Sequence, residues 1–317
     1  MRNLTASNAK SASHPVGSGR AFAAAVACYL IWGIIPLVFQ VMGRLGISPW
    51  EILANRMVWA TPVALVFVLI ARQGREVLAA LRAPRTLAWL ALSSVLIAGN
   101  WGIYIWAVNS GRVLETALGY YINPLLGMAA GAVIFNERID RLGWIAIGLA
   151  ILGVTVQAVA AGGLPMVSLA LAVSFGGYGI VRKRVAASAQ AGLLIECVLL
   201  TGFGLAYLGW LQHTGAGHLG KSLPATAWLL ACGPLTAVPL VLFAWAARRI
   251  PLSSLAFLQF LGPTSGFAIG VLQGEPFTPL RALSFVFIWG GVAVFAYAAW
   301  QRSRPELRAT ELVEPAE

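Results

Sequence analysis

The sequence predicts an all-α integral membrane protein of ten transmembrane helices, folded as two inverted five-helix repeats. Three observations predict it. The 317 residues are 59% hydrophobic and only 10% charged, where a soluble domain carries roughly a quarter of its residues charged. Ten apolar runs of about twenty residues follow one another, each long enough to cross a hydrocarbon core of roughly 30 Å. Sliding the chain by 139 residues pairs Trp89 with Trp228, Trp106 with Trp245, Pro124 with Pro263, Gly127 with Gly266 and Gly131 with Gly270. Tryptophans, prolines and glycines matching at one ungapped offset mark an internal repeat. Because five spans per half is odd, the second half enters the membrane from the opposite side.

The spans fall at 21–41, 49–71, 86–108, 113–135, 142–161, 164–181, 190–210, 225–247, 252–272 and 280–300. Span 1 carries Trp32 in "LIWGIIP". Span 2 opens at Glu51 and holds Arg56, a charge inside an apolar run. Span 3 reads "GNWGIYIWAVN", which puts Asn100 and Tyr104 on one helical face with Trp101 about 100° round. Span 4 holds Thr116, Tyr120 and Asn123 on one face, then Pro124, then Gly127 and Gly131. Span 6, the equivalent of span 1 in the second half, carries Tyr178, and span 7 holds Glu196. Span 9, "QFLGPTSGFAIG", repeats the pattern of span 4 with Gln259 opposite Tyr120, then Pro263, Gly266 and Gly270. A proline near the middle of a span removes a backbone donor and predicts a kink or interruption. The GxxxG that follows lets a neighbouring helix come close.

Residues 1–20 read as a disordered cytoplasmic tail, 21–161 and 164–300 as the two repeats, and 301–317 as an unstructured cytoplasmic tail. With the N-terminus cytoplasmic, 17 of the 22 basic residues fall inside, four outside and Arg56 within a span. That distribution follows the positive-inside rule and places both termini in the cytoplasm. The net charge of +11 is thereby explained by topology and calls for no nucleic acid. Cys28, Cys197 and Cys232 are scattered through the spans, and His213 and His218 lie in a polar loop, so neither set has metal-ligand spacing. No cofactor or metal is expected.

Inverted repeats with matched helix breaks point to a secondary transporter whose midplane site opens alternately to each side. Trp32, Asn100, Tyr104, Tyr120, Asn123, Tyr178 and Gln259 are the candidate solute-binding residues, hydrogen-bonding and aromatic groups without dense charge. They suit a moderately polar or amphiphilic small molecule. Asn123 and Gln259 have a second reading, as bonds between neighbouring helices. Pro124, Pro263 and Arg56 are candidates for gating, Arg56 alternatively for an anion contact, and Glu196 for proton coupling. For Arg56 and Glu196 the competing reading is snorkelling to the nearer interface. Glu115, Glu137 and Glu275 read as helix caps or loop ion pairs. No cluster of acids, bases or nucleophiles suggests catalysis, so the chain reads as a non-enzyme. An integral-membrane enzyme acting on a lipid-linked substrate and a membrane-bound solute sensor are the alternatives from other classes.

The segments "EILANR" (51–56), "GNWGIYIWAVN" (99–109), "LETALGYYINPL" (114–125), "SLALAVSFGGYGIVRK" (168–183) and "FLQFLGPT" (257–264) together resemble RarD-type proteins of the EamA branch of the drug/metabolite transporter superfamily. The resemblance covers both halves. It implies ten helices, a bacterial inner membrane, transport of a small organic solute, and a central cavity walled by spans 1, 3, 4, 6, 8 and 9; export is the expected direction. Gly202 departs from it, since the family often has proline there.

Overall fold

The buried polar residues of this chain are the clearest sign of its environment. Glu51, Asn55, Arg56, Ser93, Ser94, Asn100, Gln157, Ser168 and Glu196 are shielded inside, while Ile70, Val95, Val159, Phe203 and Leu205 are exposed. Apolar side chains facing out and polar ones facing in are what a hydrocarbon solvent selects, because lipid offers no hydrogen bonds. The computed structural model describes residues 18–135, 139–247, 249–250 and 258–311. Among them the structure is helical, with no strand.

The helices are α1 (Ser18–Arg44), α2 (Pro49–Ile70), α3 (Gly74–Arg82), α4 (Pro84–Asn109), α5 (Val113–Phe135), α6 (Arg141–Ala161), α7 (Met166–Arg184), α8 (Ala189–His213), α9 (Leu223–Ala247), α10 (Leu261–Leu272) and α11 (Pro279–Glu311). Seven of them, α1, α2, α4, α6, α8, α9 and α11, contain stretches long and apolar enough to cross a membrane. Seven is the count among the described residues, where ten were expected; α5 is a further apolar helix of 23 residues. The apolar stretch of α7, Met166–Arg182, is short because the helix ends in a basic run. Span 9 is divided by a turn at Gln259–Phe260, and 251–257 lie outside the described residues.

Helix boundaries follow local signals. Ser48 caps α2 by accepting from Glu51 N, with Pro49 in the first turn, and Asp140 and Ser188 cap α6 and α8 in the same way. Each side-chain oxygen satisfies a backbone donor that the helix itself leaves unpaired. Two expectations fail. The predicted loop 72–85 contains α3, which turns Val77 and Ala80 toward Leu90 and Ile195. Residues 301–311, expected to be unstructured, continue α11; their Arg, Glu, Leu and Ala content favours helix, and extending an existing helix avoids the cost of nucleation. Residues 1–17 and 312–317 of the predicted tails lie outside the described residues.

In the assembled bundle α2 packs on α8, α5 on α10 and α6 on α11, while α1 packs on α9 and α10 and α7 on α4 and α5. Close contacts depend on small residues. A Cβ on Gly119 would lie 2.8 Å from the carbonyl oxygen of Ser168, so α5 and α7 touch backbone to backbone. In the predicted GxxxG of α10, Gly270 faces Leu114 and Gly266 faces Ala117 of α5, which is the close approach the motif permits.

Candidate functional site

Arg56 lies seven residues into α2, about 10 Å along its axis. Its side chain does not snorkel, being 7% exposed. The guanidinium carbon sits 4.2 Å over the ring of Trp101 from α4 and 5.8 Å from that of Phe39 from α1. Tyr104, Tyr120, Cys197 and Cys232 are its other polar neighbours. Nε is shielded and has no acceptor, and among the described residues no carboxylate pairs with the side chain. Glu51 is occupied by His218, which donates its backbone N–H at 2.7 Å and brings Nδ1 to 2.8 Å. His218, read from the sequence only as a polar loop residue, thus reaches back to the start of α2. A desolvated cation–π contact is worth about 2 kcal/mol, whereas burying an ion costs several kcal/mol. The two rings leave most of that charge uncompensated.

From Arg56 a row of aromatic rings runs between the helices, from buried Phe39 to exposed Phe175. Phe39 meets Tyr104 at 6.3 Å, Tyr104 meets Tyr120 at 5.6 Å, Tyr120 meets Phe175 at 6.0 Å, and Phe175 meets Tyr178 at 6.0 Å. The first three contacts are edge-to-face, the arrangement that ring quadrupoles favour. Asn100 fixes the middle of the row. It accepts from Tyr120 OH at 3.0 Å and donates to the Leu171 carbonyl at 3.1 Å and to Ser174 Oγ at 3.0 Å. One amide thus joins α4, α5 and α7.

The row ends at Glu196, also seven residues into its helix and 2% exposed. Tyr178 OH donates to Oε2 at 3.3 Å, Ser93 Oγ donates to Oε1 at 2.5 Å, and Arg182 Nη1 lies 3.5 Å from Oε1. Glu196 is thus held by side chains of two other helices, α4 and α7, rather than drawn to the interface. Neither snorkels, and although α2 packs on α8, Arg56 and Glu196 do not pair with one another.

The other predicted residues are dispersed around this row. Both amide atoms of Asn123, one turn beyond Tyr120, are shielded and without a partner. Trp32 packs against Tyr29 at 5.6 Å and Phe243 at 6.2 Å, and it borders the same apolar cluster as Tyr104, which includes Ile35, Phe39 and Ile105. Gln259 is half-buried in the turn ahead of α10, and Pro263 is buried in the first turn of α10. The two prolines do not act alike: span 9 is interrupted just before Pro263, whereas α5 is a single helix through Pro124. A lone proline costs a helix one hydrogen bond without forcing it to end when neighbouring helices hold it. Phe39, Phe175, Ser93 and Arg182 went unnoticed in the sequence. Only Arg182 left a trace, as the basic end of a span that turns back beside Glu196.

Glu275 behaves as the expected cap. Its carboxylate accepts from Val113 N at 2.5 Å and Leu114 N at 3.0 Å, closing the start of α5 from the loop before α11. Burial pushes this carboxyl above the usual carboxylate range, against the pull of those two N–H groups and of Arg281. Ser168 Oγ donates to the Glu115 carbonyl at 2.7 Å, and Glu137 lies outside the described residues.

Residues 19–158 match the model of the EamA-like transporter family. Protein RarD of Escherichia coli (strain K12) is 40% identical over 277 residues, 87% of this chain and 93% of the relative. A protein of Vibrio cholerae named as an uncharacterized transporter is 39% identical over 274 residues, 86% of this chain and 90% of the relative. The Chloramphenicol-sensitive protein RarD of Pseudomonas aeruginosa is 29% identical over 265 residues, 81% and 88% of the two chains. A solved crystal structure superposes with a TM-score of 0.58 over 89% of this chain and 98% of its own, at 17% identity, a likeness of fold alone. On its identity to these full-length relatives the chain belongs to the EamA-like transporter family, among its RarD proteins, as a multi-pass membrane transporter.

Proposed function

We propose that this transporter is a secondary active exporter of small organic solutes, working by alternating access around the aromatic row. In this reading it has ten spans in two inverted repeats, 21–161 and 164–300, and sits in a bacterial inner membrane with both termini cytoplasmic. The observation that carries it is the pairing of helices. α2 on α8, α5 on α10 and α6 on α11 each bring a span against its own counterpart. Likewise α1 meets α9 and α10 as α7 meets α4 and α5, with the roles of the halves exchanged. Thr61 and Thr201, 140 positions apart, share a hydrogen bond at 2.6 Å, which supports a pseudo-twofold axis between α2 and α8. Such a bundle has two equivalent ways to close, one at each face.

The polar and aromatic groups Trp32, Asn100, Tyr104, Tyr120, Asn123, Tyr178 and Gln259 wall the path. Pro124 and Pro263 serve the moving step, Arg56 stands at the outer third, and Glu196 carries the coupling proton at the inner third. Protons are then the coupling ion, exchanged when the Arg182–Glu196 pair opens. The test uses proteoliposomes enclosing a pH-sensitive dye, challenged with anionic, neutral and cationic aromatic solutes. Solute-driven proton movement in the native protein and its loss in Glu196→Gln are expected. An unaltered pH profile of solute flux in that variant sinks the coupling role, and no flux of any solute sinks transport by this site.

A further inference from the structure

We propose that the solute is an organic monocarboxylate with an apolar or aromatic body, and that Arg56 holds its carboxylate. The proposal rests on the transport reading and supplies its substrate class. Its basis is the mismatch at Arg56. A guanidinium nine-tenths buried has two aromatic faces against it, Trp101 at 4.2 Å and Phe39 at 5.8 Å. The titratable groups near enough to act on its charge are Tyr104, Tyr120, Cys197 and Cys232, all neutral in their ordinary state near pH 7. The two carboxylates nearest in sequence and row order are otherwise bound, Glu51 by His218 and Glu196 by Arg182, Ser93 and Tyr178.

A planar guanidinium fixed over a ring presents its N–H fork edgewise, which matches the two oxygens of a carboxylate. A cationic solute would meet a buried like charge, and a neutral one would leave the charge as it is. A phosphate dianion calls for a second cation, and among the described residues none stands beside Arg56. The half-buried rings of Trp101, Tyr104 and Tyr120 offer an apolar, edge-rich surface for the body of the solute. Asn123, one turn along α5 from Tyr120 and with donor and acceptor both unpartnered, is suited to a further polar substituent.

The test measures binding of phenylacetate, 3-phenylpropionate and indole-3-acetate, and of their primary amides, to the purified full-length protein. The acids are expected to bind at least roughly tenfold more tightly than the amides, and Arg56→Gln to erase that preference while Arg56→Lys keeps part of it. Equal affinity for acid and amide, an unchanged acid preference in Arg56→Gln, or no binding of any probe overturns the proposal. The acid-to-amide comparison on unaltered protein decides the matter even if Arg56→Gln does not fold. Flux of the same probes in proteoliposomes separates the two levels. Amides or the corresponding amines moving while acids do not defeats the carboxylate assignment and leaves transport standing. Acids that bind tightly while no probe moves support the Arg56 site and defeat the transport reading.

Discussion

Asn100 and Asn123 are both asparagines deep in apolar helices, and the protein uses them differently. Asn100 spends its amide on three partners that tie α4, α5 and α7 together, whereas the amide of Asn123 has none. Removing one partner of a buried hydrogen bond strands the others at about 1–3 kcal/mol. Asn100→Leu is therefore expected to lower the unfolding midpoint in detergent. Asn123→Leu is expected to leave that midpoint level or raise it while weakening solute affinity. Equal loss of stability in the two variants would return Asn123 to a structural role. Glu275 offers a pH-dependent counterpart. Its carboxyl is raised in the folded protein, mainly by burial, so the folded state holds its proton more firmly than the unfolded chain. Stability from this group is fully present below the unfolded pKa and lost as pH rises through the raised folded value. Thermal unfolding across mildly acidic pH is expected to show that slope in the native protein and a flatter one in Glu275→Gln.

At the scale of elements, spans 4 and 9 share a sequence pattern but not a backbone. α5 continues through Pro124, while the chain turns at Gln259–Phe260 before Pro263 and α10. If the breaks serve the moving step, Pro124→Ala and Pro263→Ala are both expected to slow flux several-fold more than they weaken solute binding. Pro263→Ala should have the larger effect because its helix is already divided. Flux and affinity unchanged in both variants would remove the prolines from the mechanism. The amphipathic α3 was hidden in the sequence because nine residues with one buried face, Val77 and Ala80, are too few to stand out among twenty-residue apolar runs. The GxxxG of α10 was legible as a motif, but its target on α5, Ala117 and Leu114, depends on which helices become neighbours.

At the scale of the whole molecule, the proposed exchange of roles between two inverted halves makes a distinction that cross-linking can read. A contact between symmetry-equivalent residues maps onto itself when the halves swap conformations, so it persists in both states. In the proposed repeat Thr61 and Thr201 form such a contact, at 2.6 Å. The reciprocal amide pair of Gln40 and Gln273, at 2.9 and 2.7 Å, instead ties α1 to the end of α10 at one face. With Cys28, Cys197 and Cys232 replaced, a disulfide in Thr61→Cys/Thr201→Cys is expected to leave flux nearly intact. One in Gln40→Cys/Gln273→Cys is expected to arrest flux until reduced. The same response from both cross-links would count against a rocking exchange of halves. The membrane class, most helix positions, the family and the polar residues of the interior were determined by the sequence alone, because hydrocarbon demands long apolar runs and makes each polar exception conspicuous. Only the tertiary structure decided which exceptions are satisfied. It paired Glu196 with Arg182 and Glu51 with His218, and it left Arg56 among rings and Asn123 without a partner. A residue's type states what partners it needs, but whether it meets them is settled by helices brought together from distant parts of the chain.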